Sequence, residues 1–207
     1  MKLERFTILD SSFTAIIYIA GIIGIRFLPD FFLKTSFISI LIPLSLYLYR
    51  IKPKGKDILL ILLVYSISFI AEWIGVSLGW LFGSYKYGDS LGIKLDGVPL
   101  IIGANWILLS LISREVISSL LKNKILIIIL SSILMVLIDF LIEPISDNLD
   151  FWIWENNIIP YSNYLDWFLI ALLNQTLFSF LGYKKDMFHW SLIYIFILVL
   201  FFLTFYI

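Results

Sequence analysis

The chain contains no cysteine, and its only histidine is His189. The absence of thiols excludes disulfides and thiolate chemistry, and a single imidazole excludes a metal site built from several histidines. Charged residues account for only 14% of the 207 residues, and Lys+Arg and Asp+Glu balance at 15 each. Because nucleic-acid binding depends on an excess of basic residues, this zero net charge gives no support for a nucleic-acid partner, and we expect none.

The chain is rich in hydrophobic residues. Hydrophobic residues make up 61% of it, and the mean hydropathy is +1.00. The apolar runs are longer than a buried helix of a soluble protein requires, so lipid is the expected solvent. We predict an all-α, polytopic transmembrane helical bundle in the cell membrane, with residues 1–207 forming a single integral membrane domain. The N-terminal residues lead into a helix that we expect to be retained.

Apolar segments long enough to cross a bilayer recur about seven times along the chain. The second segment contains Pro43. Since proline has no backbone N–H, we expect a kink there, with the freed carbonyl covered by a neighbouring helix. The predicted helices span roughly residues 12–28, 31–49, 57–82, 98–120, 124–142, 164–182 and 187–206.

The charges between these helices predict the orientation, because cytoplasmic loops carry an excess of Lys and Arg. Alternate connections are basic, whereas the segment after the fifth predicted helix carries acids and no Lys or Arg. This alternation predicts a cytoplasmic N-terminus and a C-terminus outside. The basic residues concerned are Arg50, Lys52, Lys54, Lys56, Lys122, Lys124, Lys184 and Lys185.

Glu72 lies in the outer half of the third predicted helix. Gly75, Gly79 and Gly83 follow it at spacings that place all four residues on one helix face. A stripe of small residues favours close helix packing, so we expect the carboxyl group to point into the bundle. Acids inside a membrane are costly and usually functional. We predict a catalytic role for Glu72, with a structural hydrogen bond to a neighbouring helix as the alternative.

Asp139 and Glu143 lie four residues apart near the outer end of the fifth predicted helix, which Pro144 ends. Their side chains share one helix face, and two adjacent acids in a poorly solvated site do not both ionise easily. We therefore expect one of them to hold a proton that it can donate near neutral pH. The alternative is a solvated pair at the interface. Carboxylates also suit magnesium, but aspartate-rich metal-binding motifs are missing from the sequence, so we expect no metal.

Aromatic residues gather around the same outer end of the predicted bundle. An interfacial aromatic belt accounts for part of them, yet Trp190 is the only tryptophan predicted at the opposite face. Aromatic rings stabilise cations in a desolvated pocket, so proton-donating acids beside aromatic walls suit carbocation chemistry on an alkene. The predicted substrate-binding residues are Trp73, Gly79, Trp80, Tyr85, Tyr87, Asn105, Trp106, Trp152, Trp154 and Trp167.

A set of motifs resembles a known family in both order and spacing. Over roughly residues 60–185 the chain resembles the CruF-type carotenoid biosynthesis family, whereas residues 1–55 and the last helix resemble it only in hydropathy. The matching segments are Glu72–Gly79, Phe82–Tyr87, Leu91–Gly92, Gly97–Leu100, Asn105–Trp106, Asp139–Pro144, Phe151–Glu155, Ile159–Pro160, Asn163–Tyr164 and Trp167–Phe168.

The resemblance implies a carotenoid hydratase, a hydro-lyase that adds water to the terminal double bond of an acyclic end group and forms a tertiary alcohol. It implies gamma-carotene-like substrates taken from the bilayer and no cofactor. The expected partners are the carotenoid, membrane lipid and other carotenoid biosynthesis enzymes.

The residues themselves predict the mechanism. Glu72 or Asp139 donates the proton and Glu143 orients water, in a pocket between the third, fourth and fifth predicted helices. A membrane carotenoid cyclase and a non-enzymatic small-molecule transporter or binding protein are the alternatives.

Overall fold

A computed structural model of the protein describes residues 5–182 and 186–206. Within these residues the chain forms eight α-helices and four short β-strands. The helices are α1 (Arg5–Phe27), α2 (Pro29–Lys34), α3 (Ile38–Ile51), α4 (Lys56–Leu78), α5 (Leu100–Leu120), α6 (Lys124–Ile142), α7 (Tyr161–Phe180) and α8 (Phe188–Leu203). The strands are β1 (Tyr85–Tyr87), β2 (Lys94–Leu95), β3 (Val98–Pro99) and β4 (Trp152–Trp154).

The helices form the predicted all-α membrane bundle. Four segments are long and apolar enough to cross a membrane, namely Phe6–Phe27, Lys56–Leu78, Leu100–Leu120 and Lys124–Ile145. The helices α3 and α8 are shorter but equally apolar. Large apolar side chains such as Ile16, Leu62 and Phe196 are exposed on the bundle surface, as expected where lipid replaces water.

The second predicted helix is two helices in the structure. The chain breaks around Thr35–Phe37, between α2 and α3, and Pro43 lies inside α3 without ending it. Pro43 has no N–H to donate to the Ser39 carbonyl one turn earlier in the helix. That carbonyl instead accepts a hydrogen bond from the Tyr18 hydroxyl of α1 at 3.0 Å. The expectation that a neighbouring helix covers the freed carbonyl is confirmed.

The stripe of glycines on one helix face does not exist, so that prediction is wrong. The helix α4 ends at Leu78, four residues earlier than predicted, and Gly79 caps it in the left-handed conformation with φ of 66°. Glycine adopts this conformation without the steric cost that a side chain brings. Gly83 therefore lies in the following connection rather than on the helix.

The two ends of the bundle carry different connections. We use "loop end" for the end formed by residues 79–99 and 143–160, which β1 and β4 join. We use "basic end" for the end formed by residues 52–55 and 121–123, where Arg50, Leu120 and Asp186 line one cleft. Lys184 and Lys185 lie outside the described residues.

The loop end is built around a short antiparallel ribbon. Tyr85 pairs with Trp154, and Tyr87 pairs with Trp152. Because side chains alternate between the two faces of a strand, these four aromatic residues share one face of the ribbon. The strands β2 and β3 pair with each other just before α5. The ribbon therefore directs aromatic side chains from both long connections towards the helices beneath them.

Candidate active site

Glu72, Asp139 and Glu143 line one cavity beneath the loop end, which we call the acid cavity. Its walls come from α4, α5, α6, α7 and the β1–β4 ribbon, so it involves α7 in addition to the three helices that the sequence predicted. The lining residues are Glu72, Phe82, Tyr85, Tyr87, Ile102, Asn105, Trp106, Asp139, Ile142, Glu143, Trp152, Trp154, Asn163 and Trp167.

Glu72 accepts three hydrogen bonds from neutral side chains. The hydroxyls of Tyr85 and Tyr87 donate to its Oε2 at 2.6 and 2.7 Å. The indole Nε1 of Trp106 donates to its Oε1 at 2.9 Å. Glu72 is only 3% exposed, so these donors replace the water that solvates a free carboxylate.

Gly75 makes the contact between the ribbon and Glu72 sterically possible. A Cβ at this position would lie 2.9 Å from Cδ2 of Phe82 and 3.0 Å from the hydroxyl of Tyr85. The absence of a side chain one turn after Glu72 thus allows the connection to fold back onto α4. The role of this glycine is to admit the connection that covers the site, a role different from the helix packing that the sequence pattern indicated.

Glu143 is held in a similar way at the end of α6. The indole Nε1 atoms of Trp152 and Trp154 donate to its Oε2 at 2.9 and 2.6 Å. The amide Nδ2 of Asn163 donates to its Oε1 at 2.7 Å. The β4 strand and the first turn of α7 therefore fix the position of this carboxyl group.

Asp139 has fewer donors than the two glutamates. The Nδ2 of Asn163 donates to its Oδ2 at 3.2 Å, so one amide bridges Asp139 and Glu143. Because the same amide contacts both carboxyl groups, Asp139 and Glu143 lie close together. Asp139 is 1% exposed.

The tyrosines that contact Glu72 are neutral donors. Burial, reinforced by the adjacent Glu72 carboxyl group, raises the pKa of Tyr85 and of Tyr87 well above the usual tyrosine range. Both phenols therefore keep their protons and can donate to an ionised Glu72.

Aromatic rings form much of the remaining wall. Trp106 stacks on Trp167 with ring centroids 3.9 Å apart and an interplanar angle of 17°. Tyr85 packs against Trp154 at 5.0 Å. Among the described residues that line the cavity there is no Lys, Arg or His, so the acidic groups have neutral hydrogen-bond donors and aromatic faces around them. Such a cavity favours a positively charged occupant.

The sequence match to known proteins covers most of the chain. The sequence profile of a family described as "carotenoid biosynthesis protein" matches residues 34–207. The chain belongs to this carotenoid biosynthesis family. The match includes α3 and α8, so the expectation that the last helix resembles the family only in hydropathy is wrong.

A curated relative of this chain is named as an enzyme. The bisanhydrobacterioruberin hydratase of Haloarcula japonica is 28% identical over 170 residues, covering 75% of this chain and 55% of that protein. The chain thus spans little more than half the length of this relative. No solved structure matches the chain.

Most predicted site residues of this family member line the acid cavity. They are Glu72, Asp139, Glu143, Tyr85, Tyr87, Asn105, Trp106, Trp152, Trp154 and Trp167. Trp73, Gly79 and Trp80 do not line it. Trp73 lies on the lipid side of α4 at 37% exposed, and Trp80 follows the helix end at 78% exposed. Gly79 and Trp80 lie beyond the end of α4 at Leu78, whereas the predicted helix continued to residue 82.

Asn163 is the residue that the sequence analysis missed as a site residue. Its amide is 1% exposed and contacts both Asp139 and Glu143. It lies in the first turn of α7, which begins at Tyr161 directly after Pro160. A polar residue at this point, within a motif shared with the family, was the signal that could have revealed it.

Proposed function

We propose that this protein is a carotenoid hydratase that adds water to the terminal double bond of an acyclic carotenoid end group. The observation that carries the proposal is a buried cavity with three carboxyl groups, aromatic walls and no cationic lining residue among those described. A cavity of this kind stabilises a carbocation formed by protonation of an alkene. The named activity of the Haloarcula japonica relative supports the same reaction class.

Asp139 is the proton donor in this mechanism. Glu72 and Glu143 each accept three hydrogen bonds, an arrangement that favours a carboxylate. Asp139 accepts one N–H, from the Asn163 amide that also contacts Glu143. Asp139 is therefore the acid that holds a proton in the proposed mechanism. Its transfer to the less substituted alkene carbon leaves a tertiary cation on the other carbon.

Glu72 and the aromatic walls stabilise the cation. The Glu72 carboxylate supplies negative charge on one side of the cavity, and the stacked pair of Trp106 and Trp167 supplies polarisable faces. These groups are held in place before the reaction, so they need little reorganisation as the charge develops.

Water completes the reaction. A water molecule beside Glu143 attacks the tertiary carbon, and the resulting oxonium loses a proton to the Glu143 carboxylate. The proton returns to Asp139 across the short separation between the two acids, both of which contact the Asn163 amide. The net change is one water added to one double bond, with every group of the protein restored. The steps use only carboxyl groups and water, so the proposed reaction requires no redox cofactor.

The proposed orientation places the loop end outside the cytoplasm. Arg50, Lys52, Lys54, Lys122 and Lys124 lie at the basic end or flank it, and basic connections face the cytoplasm. The N-terminus then lies inside and the C-terminus outside. A carotenoid of gamma-carotene type, dissolved in the bilayer, is the proposed substrate, and other carotenoid biosynthesis enzymes are its proposed neighbours.

Expression in a host that accumulates acyclic or monocyclic carotenoids tests the proposal. We expect a product heavier than the substrate by one water, and no such product from the Glu72→Gln, Asp139→Asn double variant at equal protein level. Mass spectrometry of the extracted pigment measures both.

The other outcomes identify the alternatives. A changed pigment of unchanged mass would indicate a cyclase, because ring closure adds no atoms. Unchanged pigment that copurifies with the protein would indicate a binding or transport role. Wild-type yields of the tertiary alcohol from the double variant would contradict the assignment of the acids.

A further inference from the structure

Two further cavities continue from the acid cavity into the N-terminal half of the bundle. The first, which we call the middle chamber, shares Ile102, Asn105, Ile142 and Trp152 with the acid cavity. The second, which we call the lipid-facing cleft, shares Tyr18, Ser39, Phe151 and Phe201 with the middle chamber. The three cavities therefore form one series, with the acids at one end.

The middle chamber is apolar in effect. Its described lining contains no charged residue, and its hydroxyl groups have partners within the protein. The Ser39 hydroxyl donates to the Ser36 carbonyl at 2.6 Å. The Tyr18 hydroxyl donates to the Ser39 carbonyl at 3.0 Å and lies 2.8 Å from the Tyr194 hydroxyl. Because Tyr18, Ser39 and Tyr194 already form these hydrogen bonds within the protein, an apolar molecule can occupy the chamber without leaving their polar groups unpaired.

The lipid-facing cleft opens on the surface of the bundle. It is lined by α1, α2, the start of α3, Phe151 and Phe201 of α8, and its described lining is also free of charge. Ala20 and Phe31 of this lining are exposed, Phe31 at 64%. The rim therefore meets the hydrocarbon of the bilayer rather than water.

We propose that the middle chamber and the lipid-facing cleft form an intramembrane corridor that binds the linear polyene of the substrate, with its acyclic end group in the acid cavity. This inference rests on the proposed function. An elongated apolar path that carries charge at one end only matches a long apolar molecule that reacts at its terminus. Asn105, which lines both the acid cavity and the middle chamber, marks the boundary between reacting end and polyene.

Substitutions at the cleft test the corridor without touching the acids. Ala20→Phe places a ring in the cleft. Because Ala20 is exposed, the larger side chain displaces no buried residue and should leave the fold intact. Gly21→Leu is a second variant: a Cβ at Gly21 lies 3.3 Å from Cε2 of Phe201, the ring at the junction of cleft and chamber. Ile19→Phe is the matched control, because Ile19 is 55% exposed on the same helix and does not line the cleft.

The experiment uses purified full-length protein in lipid nanodiscs and two readouts. The first is the amount of lycopene retained per protein, measured by absorbance, which does not depend on turnover. The second is hydration of lycopene compared with a short acyclic isoprenoid that carries the same end group. We expect Ala20→Phe and Gly21→Leu to lower lycopene retention and hydration about tenfold. We expect both cleft variants to hydrate the short isoprenoid at the wild-type rate. We expect the Ile19→Phe control to retain and hydrate lycopene at the wild-type level.

The outcomes separate the corridor from the proposed function. Wild-type retention and hydration of lycopene in both cleft variants would overturn the corridor. An equal loss of activity on the long and the short substrate would also overturn it, since the variants would then act on the acid cavity. Retention that depends on the cleft, in a wild-type protein that hydrates neither substrate, would uphold the corridor and contradict the hydratase.

Discussion

The two ends of the bundle both bury acidic side chains, but they give them different partners. At the basic end, Asp10 of α1 forms a two-point ion pair with Arg50 of α3, with N–O distances of 2.5 and 2.8 Å. At the loop end, Glu72 and Glu143 are surrounded by phenol, indole and amide donors. Asp10 is therefore neutralised by a cation, whereas among the described residues no Lys, Arg or His lines the cavity beside Glu72 and Glu143.

This difference indicates what each end is for. In an ion pair the two opposite charges largely cancel, so the pair exerts little electrostatic attraction on a third charged group. The role of Asp10 and Arg50 is therefore to join α1 to α3. Neutral donors hold a carboxylate in place and leave its negative charge directed into the cavity. Burial alone therefore does not identify a catalytic acid in this bundle. The nature of the hydrogen-bond partners, together with a cavity beside them, separates the two roles.

The largest expected effect follows from removing the proposed proton donor. Asp139→Asn keeps the shape of the side chain and removes its acidic proton, so we expect hydration to fall about a thousandfold. The conversion rate of lycopene by purified protein measures it. Asp10→Asn is the control from the basic end. It removes the carboxylate charge that pairs with Arg50 and should lower the free energy of unfolding by about 1–2 kcal/mol at unchanged activity per folded molecule. Equal losses of activity in both variants would contradict the comparison.

A smaller loss is expected when the cation loses its nearest negative charge. Glu72→Gln should slow hydration about a hundredfold, because a neutral amide stabilises the developing cation less than a carboxylate does. Tyr87→Phe is the matched variant, since it removes one donor and keeps the charge, and we expect a loss of about tenfold. Both are measured as initial rates at saturating substrate. The interpretation of Glu72 is wrong if the two variants lose the same activity.

The smallest effect is expected where the sequence predicted a site residue and the structure places the side chain outside the cavity. Trp80→Phe should change the hydration rate by no more than about twofold, because the ring is 78% exposed. Trp154→Phe removes a donor to Glu143 and should cost about tenfold. Rates of the two variants, measured side by side, check this. If Trp80→Phe were as impaired as Trp154→Phe, the placement of Trp80 outside the functional site would be wrong.

Much of the bundle and of the acid cavity could be predicted from local sequence. Apolar runs identify the helices because lipid requires them, and Glu72, Asp139 and Glu143 stand out because acids are rare in such runs. Tyr85 and Tyr87, like Trp152 and Trp154, also alternate in the way that strand residues do.

The remaining features depend on contacts between distant segments. The pairing of β1 with β4 joins two connections that are far apart in the chain, and no local pattern reveals it. The end of α4 at Leu78 depends on a cap at Gly79 that a hydropathy pattern does not distinguish from a continuing helix. The corridor likewise requires α1, α3 and α8 to meet, which single helices cannot indicate.

The source of the added oxygen tests the central claim most directly. Purified protein in nanodiscs is supplied with lycopene in water enriched in heavy oxygen, and the product is analysed by mass spectrometry. We expect one heavy oxygen per added hydroxyl, on the tertiary carbon, together with a solvent-derived hydrogen on the adjacent carbon. A product whose oxygen comes from molecular oxygen, or a product that contains no new oxygen, would contradict the account.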